Sequence, residues 1–121
     1  MPKKILVLED DGATRNLLAA LLEKAGYAVQ TCVNGKEGIE VFRARTFDLV
    51  ITDMSMPVIG GMEVIKLVRQ ENPTVPIIAM SGAERSESLL SMADYYTADA
   101  TVHKPFDALQ MIDAVKKALV K

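Results

Sequence analysis

The sequence predicts an α/β protein, a three-layer α/β/α sandwich around a five-stranded parallel sheet. Three observations predict it. Short β-type runs alternate five times with longer helical patterns along the chain, and strands joined through helical crossovers run parallel with helices on both sheet faces. The runs at 5–8, 49–52 and 77–80 are nearly continuous in apolar residues, as strands buried on both faces should be. The 121 residues are half hydrophobic and a quarter charged, which are ordinary values for one globular domain. Residues 1–121 are therefore expected to form a single domain.

Each element has its own signal. Residues 5–8, Ile-Leu-Val-Leu, form the first strand between Lys4 and Glu9. Leu17, Leu18, Leu21, Leu22 and Ala25 then recur at helical spacing, and Gly26 stands where a left-handed residue ends a helix. Residues 27–32 read as a second strand. Asn34 is placed to cap a helix that carries Ile39 and Phe42 and ends before Thr46. Residues 49–52, Leu-Val-Ile-Thr, are rich in β-branched side chains and make a third strand. Gly60 and Gly61 break the chain before a helix bearing Met62, Ile65 and Val68. Pro73 and Pro76 bracket a turn, and residues 77–80 are the fourth strand. A weaker helix over 86–93 holds Leu89 and Leu90 among serines, and residues 100–103 form a short fifth strand. After Pro105, the stripe Leu109, Ile112, Val115 and Leu119 marks a last helix, with Lys116 and Lys117 complementing the dipole at its end.

Composition excludes several functions. Fourteen Lys plus Arg against sixteen Asp plus Glu leave a net charge of −2, so a broad nucleic-acid footprint is not expected. Cys32 is the single cysteine, so no internal disulfide or multi-thiolate metal site can form. It reads as a small buried hydrophobe. The longest uninterrupted apolar run, residues 17–22, is far short of the ~20 residues that span a bilayer. The expectation is a soluble, cytoplasmic protein that contacts neither membrane nor nucleic acid directly.

In a parallel sheet the ligand site lies beyond the carboxyl ends of the strands. Strand one runs into Glu9-Asp10-Asp11, strand three into Asp53, strand four into Ser81, and strand five into Lys104-Pro105. Three carboxylates about 5 Å apart repel by roughly 3 kcal/mol per pair at an effective dielectric of about 20. They must be protonated, spread into water, or neutralised by a cation. An all-oxygen cluster suits a hard divalent ion, and Mg²⁺ prefers one or two carboxylates, waters and a phosphate oxygen. An Asp carboxylate can also attack phosphorus, and such a transfer needs positive charge and a positioned donor around the phosphoryl oxygens. Lys104 and the Ser81 hydroxyl are of the right kind. Taken singly, each residue has an ordinary reading: the acids as solvated loop residues or helix caps, Asp53 as a turn residue, His103 as a surface residue. Asp11 keeps that reading, as cap or dipole partner of the first helix. The joint placement at four strand ends points to chemistry.

The same residues carry a resemblance. The stretches Ile-Leu-Val-Leu-Glu-Asp-Asp at 5–11, Asp-Met-Ser-Met-Pro at 53–57 with Gly61, Ser81-Gly82, and Lys104-Pro105-Phe106 together resemble the receiver domain of two-component response regulators, end to end and in the single-domain, chemotaxis-regulator-like form. The resemblance implies the flavodoxin-like receiver fold, with sheet order 2-1-3-4-5. It implies that Asp53 is the phosphoacceptor, and that Asp10, Asp53 and the Ser55 backbone carbonyl ligate Mg²⁺ while Glu9 assists through water. Ser81 would hydrogen-bond the phosphoryl group, Lys104 would pair with it, and the Lys104–Pro105 peptide would be cis. The implied partners are a histidine kinase or histidine phosphotransfer protein, and an output protein or domain on the face made by the fourth helix, fifth strand and fifth helix. The protein would be a monomer or weak dimer in a phosphorelay, a phosphoacceptor assisting its own phosphorylation and dephosphorylation rather than an enzyme. One position departs from the pattern. Three residues before the lysine, where the family usually carries an aromatic switch residue, stands Thr101. Switching would then rest on Ser81, with a smaller movement at strand five.

Rival readings fit less well. A haloacid-dehalogenase-like phosphatase needs a second acid two residues after its nucleophile, where Ser55 stands. A flavin carrier of this architecture needs a phosphate cradle after strand one, and Glu9-Asp10-Asp11 would repel phosphate. Neither G-x-x-x-x-G-K nor G-x-G-x-x-G occurs. A receiver-fold module used purely for protein–protein contact is the remaining alternative.

Overall fold

The computed structural model describes residues 2–56, 59–82 and 98–120. The elements, in order, are β1 (Lys4–Leu8), α1 (Gly12–Lys24), β2 (Ala28–Cys32), α2 (Gly35–Ala44), β3 (Leu49–Asp53), α3 (Gly61–Glu71), β4 (Ile77–Ser81), β5 (Ala100–His103) and a C-terminal helix α4 (Ala108–Leu119). The helix expected over 86–93 and Pro57 lie outside the described residues. All strand pairs are parallel and the sheet order is β2-β1-β3-β4-β5.

The strand residues divide by parity between two cores. Leu6, Leu8, Val50, Ile77 and Ala79 face one side and pack with Ile39 and Phe42 of α2 and Val64, Ile65 and Val68 of α3. Ile5, Val7, Leu49, Ile51, Ile78 and Met80 face the other, against Leu18 and Leu22 of α1 and Met111 and Val115 of α4. This is why β1 from Ile5 onward, β3 up to Thr52 and β4 up to Ser81 are apolar without a break. Their side chains meet a helix layer whichever way they point. Among the described residues no helix is long and apolar enough to cross a membrane.

Helix ends follow local chemistry. Asp11 caps α1, its carboxylate accepting from the Thr14 N–H at 2.9 Å and the Thr14 hydroxyl at 2.7 Å. Those bonds hold the carboxyl below its ordinary range. Asn34 Oδ1 accepts the Glu37 N–H at 2.8 Å, and Asp107 Oδ1 that of Gln110 at 2.7 Å. Gly26 closes α1 at φ +100°, a conformation costly for a residue with a side chain. The Tyr27 N–H still bonds back to Leu22 O, so β2 begins at Ala28, one residue later than the apolar pattern alone predicts. At the other end of the sheet, Asp99 Oδ2 accepts the Ile77 N–H at 2.8 Å and an Arg69 N–H at 2.9 Å. One half-buried ion pair thus fastens the start of β5 to α3 and β4.

Two measurements test this packing. Gly61 sits where a Cβ would lie 2.6 Å from both Asp53 O and Met54 Cα, which are backbone atoms unable to swing aside. Gly61→Ala should cost about 1–3 kcal/mol in urea unfolding, and an unchanged midpoint would contradict so close an approach. Burial first, then the Glu37 carboxylate, pushes the Cys32 thiol up to about 12. Native Cys32 should therefore resist iodoacetamide at about pH 8 and react only on unfolding, since the thiolate is the nucleophile. Rapid native-state alkylation would contradict its placement.

Candidate functional site

Among the described residues the buried polar or charged side chains are Glu9, Thr52, Asp53 and Ser81. All of them lie at the carboxyl ends of β1, β3 and β4. Burying a carboxylate is costly unless it is paired, so an edge that concentrates such groups is held there for a reason other than packing.

The sheet ladder itself fixes the positions. Its hydrogen bonds continue one residue past the strands: Glu9 N donates to Cys32 O at 3.1 Å, Met54 N to Met80 O at 2.8 Å, and Lys104 N to Ser81 O at 2.7 Å. Leu8 pairs with Thr52, so the next positions in register are Glu9 and Asp53. Gly61 lets the start of α3 lie close against the end of β3, because only a residue without Cβ leaves room for Asp53 O.

The side chains then meet. One carboxylate oxygen from each of Glu9, Asp10 and Asp53 lies within 4.8 Å of the other two. Lys104 enters from the end of β5, after which its peptide bond to Pro105 is cis. Its ammonium donates to Glu9 Oε1 and lies 3.3 Å from Asp53 Oδ1. The second Glu9 oxygen accepts the Asp11 N–H at 3.2 Å. Burial, the larger influence, and the Asp53 charge push the Glu9 carboxyl up to about 7, against the pull of Lys104. For Lys104, burial favours loss of the proton, but Glu9 and Asp53 outweigh it and hold the ammonium above the ordinary lysine range. The cation therefore stays charged, with two acids in front of it.

Other sequence-selected residues are placed less alike. Asp10 and Ser55 are exposed, while Ser81 is fully buried and its hydroxyl has no hydrogen-bond partner among the described residues. Buried hydroxyls are normally partnered, so this one is a donor in want of an acceptor. Thr101 is half-buried in β5, paired with Ala79 and remote in register from the acids. His103 is exposed beside Lys104, and Asp11 is taken up in capping α1. Arg15 joins the site without any motif to announce it. Its Nη1 donates to Glu9 O at 3.0 Å and Asp10 O at 3.3 Å. The only trace of this in the sequence is an arginine one turn into the helix that follows the acids.

The donor set suits a hard divalent cation: three carboxylates and no soft ligand. A phosphoryl group would find a carboxylate nucleophile in Asp53, a cation in Lys104 and a spare donor at Ser81.

Comparison with known proteins identifies the family and the fold. The family model for the response regulator receiver domain matches residues 5–116. The response regulator ArlR of Staphylococcus saprophyticus is 32% identical over 116 residues, covering 96% of this chain and 52% of that protein. The response regulator MprA of Mycolicibacterium vanbaalenii is 33% identical, over 100% of this chain and 52% of its own length. The chain thus spans about half the length of these curated relatives. Among solved structures, a putative response regulator from Chloroflexus aurantiacus superposes with a TM-score of 0.95 at 27% identity, covering 100% of both chains. The chemotaxis protein CheY4 of Vibrio cholerae gives 0.91 at 27%, covering 98% of this chain and 100% of that one. The chain belongs to the response regulator receiver domains of two-component signalling.

Proposed function

We propose that Asp53 accepts a phosphoryl group from a phosphohistidine on a histidine kinase or phosphotransfer protein, in a Mg²⁺-dependent reaction, within a receiver unit comprising residues 1–121. The observation that carries this reading is the convergence of the Glu9, Asp10 and Asp53 carboxylates from two strand ends, faced by the Lys104 ammonium. Neither an ordinary turn nor a set of helix caps needs that arrangement.

Asp10, Asp53 and the Ser55 carbonyl would hold the metal, with Glu9 assisting through water. Bound there, Mg²⁺ would neutralise the acids and the phosphoryl oxygens so that like charges can approach. An Asp53 oxygen attacks phosphorus; the O–P bond forms as the N–P bond breaks, and the donor imidazole leaves with the electron pair. Lys104 exchanges its contact with the Asp53 carboxylate for one with the new phosphoryl oxygens. Ser81 donates its hydroxyl to another of them. Charge-assisted hydrogen bonds of this kind are among the strong ones.

Both responding groups sit next to the β4–β5 side of the sheet, so their movement reaches the face to which β5 and α4 contribute. Moving a two-state face from about 1% to about 99% populated needs roughly 5.5 kcal/mol of preference. The Ser81 hydrogen bond and the Lys104 ion pair contribute part of it, and Thr101, which has no ring to turn, leaves β5 with a smaller shift. The output protein or domain docks on that face, in the cytoplasm. The whole-length relatives set the context, since each carries about as much chain again beyond the matched region.

Asp53→Asn should abolish Mg²⁺-dependent labelling by acetyl phosphate, read by intact-protein mass spectrometry. Full labelling of the variant, or labelling of the parent that is indifferent to a chelator, would overturn the reading.

A further inference from the structure

We infer that Arg15 is the positioning residue of the acidic loop: its guanidinium fixes the backbone around Asp10 and so aims the exposed Asp10 carboxylate at the divalent-cation position. The inference rests on the receiver reading and deepens it, by naming the group that orients the least supported acid of the cluster.

The three acids are held unequally. Asp53 is the last residue of β3 and is buried. Glu9 is buried and gripped at both oxygens, by Lys104 and by the Asp11 N–H. Asp10 is exposed, and among the described residues no hydrogen bond or ion pair reaches its carboxylate. Only its backbone therefore restrains where it can reach. That backbone crosses the gap between sheet and helix. The Glu9 N–H still belongs to the ladder, bonded to Cys32 O, and the Asp11 carbonyl already belongs to α1, accepting the Arg15 N–H at 2.9 Å. The carbonyls of Glu9 and Asp10 fall between the two systems. One nitrogen takes both: Arg15 Nη1, at 3.0 Å and 3.3 Å. The peptide planes on either side of the Asp10 Cα are thus tied to a single half-buried side chain from the first turn of α1.

Two other roles for Arg15 predict different results. A guanidinium acting only through its charge opposes a nearby cation, so its removal would tighten Mg²⁺ binding. A side chain that merely covers the helix surface would leave binding unchanged. Loss of a group that orients a metal ligand weakens metal affinity, typically 10–100-fold. The test uses the full 121-residue chain with Mg²⁺ alone as the probe, by isothermal titration, alongside the metal-free melting temperature. Arg15→Met should weaken Mg²⁺ binding about tenfold or more with little change in melting. Arg15→Lys, which keeps donors able to reach two carbonyls, should recover most of the affinity. Should Arg15→Met fail to fold, Arg15→Gln gives the same reading. Affinity unchanged or tighter in the Met or Gln variant overturns the positioning role, as does a loss that merely follows a matching fall in melting temperature. A parent chain with no measurable Mg²⁺ affinity overturns the receiver reading itself, which separates the two failures.

Discussion

One constraint governs the upper edge of this sheet. Parallel pairing delivers Glu9 and Asp53 to adjacent positions, both buried, and two desolvated carboxylates cannot both stay ionised side by side without a cation. The Lys104 ammonium from β5 is that cation. It crosses from the far side of β4 to reach an acid at the end of β1, and thereby ties three strands together at the point where the fold is electrostatically weakest. Breaking a buried pair leaves an uncompensated charge, which is why such pairs are costly to disturb even where their net stabilisation is small.

The same arrangement makes the site ready for chemistry. The acids are preorganised by ladder hydrogen bonds that continue past the strands, so little reordering is needed when charge arrives. The polar groups left over have complementary deficits. Among the described residues, the Ser81 hydroxyl meets no acceptor and the Asp10 carboxylate meets no donor. A metal-bound phosphoryl group would satisfy both. Gly61 contributes by absence, since a Cβ there would collide with the carbonyl of Asp53.

Much of this was legible in the sequence, and the reasons are particular. Strands β1, β3 and β4 announce themselves because both their faces are buried, and their apolar runs stop at Glu9, at Thr52-Asp53 and at Ser81. Asn34 and Gly26 mark their helix ends because capping and left-handed backbone have strong residue preferences. The strand order came from resemblance, since alternation of strands and helices leaves it open. Three contacts were not legible. The pairing of Lys104 with Glu9 depends on which strands are neighbours. The Arg69–Asp99 pair joins elements 30 residues apart, and neither residue lies in a motif. Arg15 acts on backbone carbonyls, which every residue possesses, so no side-chain pattern could reveal its target.

The most direct test of the central constraint is the stability of Lys104→Met, measured by urea unfolding at neutral pH with chelator present. Removing the ammonium leaves Glu9 and Asp53 facing each other in a dry site. Lys104→Met should lose about 3 kcal/mol, the low end for breaking a buried pair because Lys104 keeps some contact with water. A variant as stable as the parent, or more stable, would show that the acids do not depend on this cation and would contradict the account at its foundation.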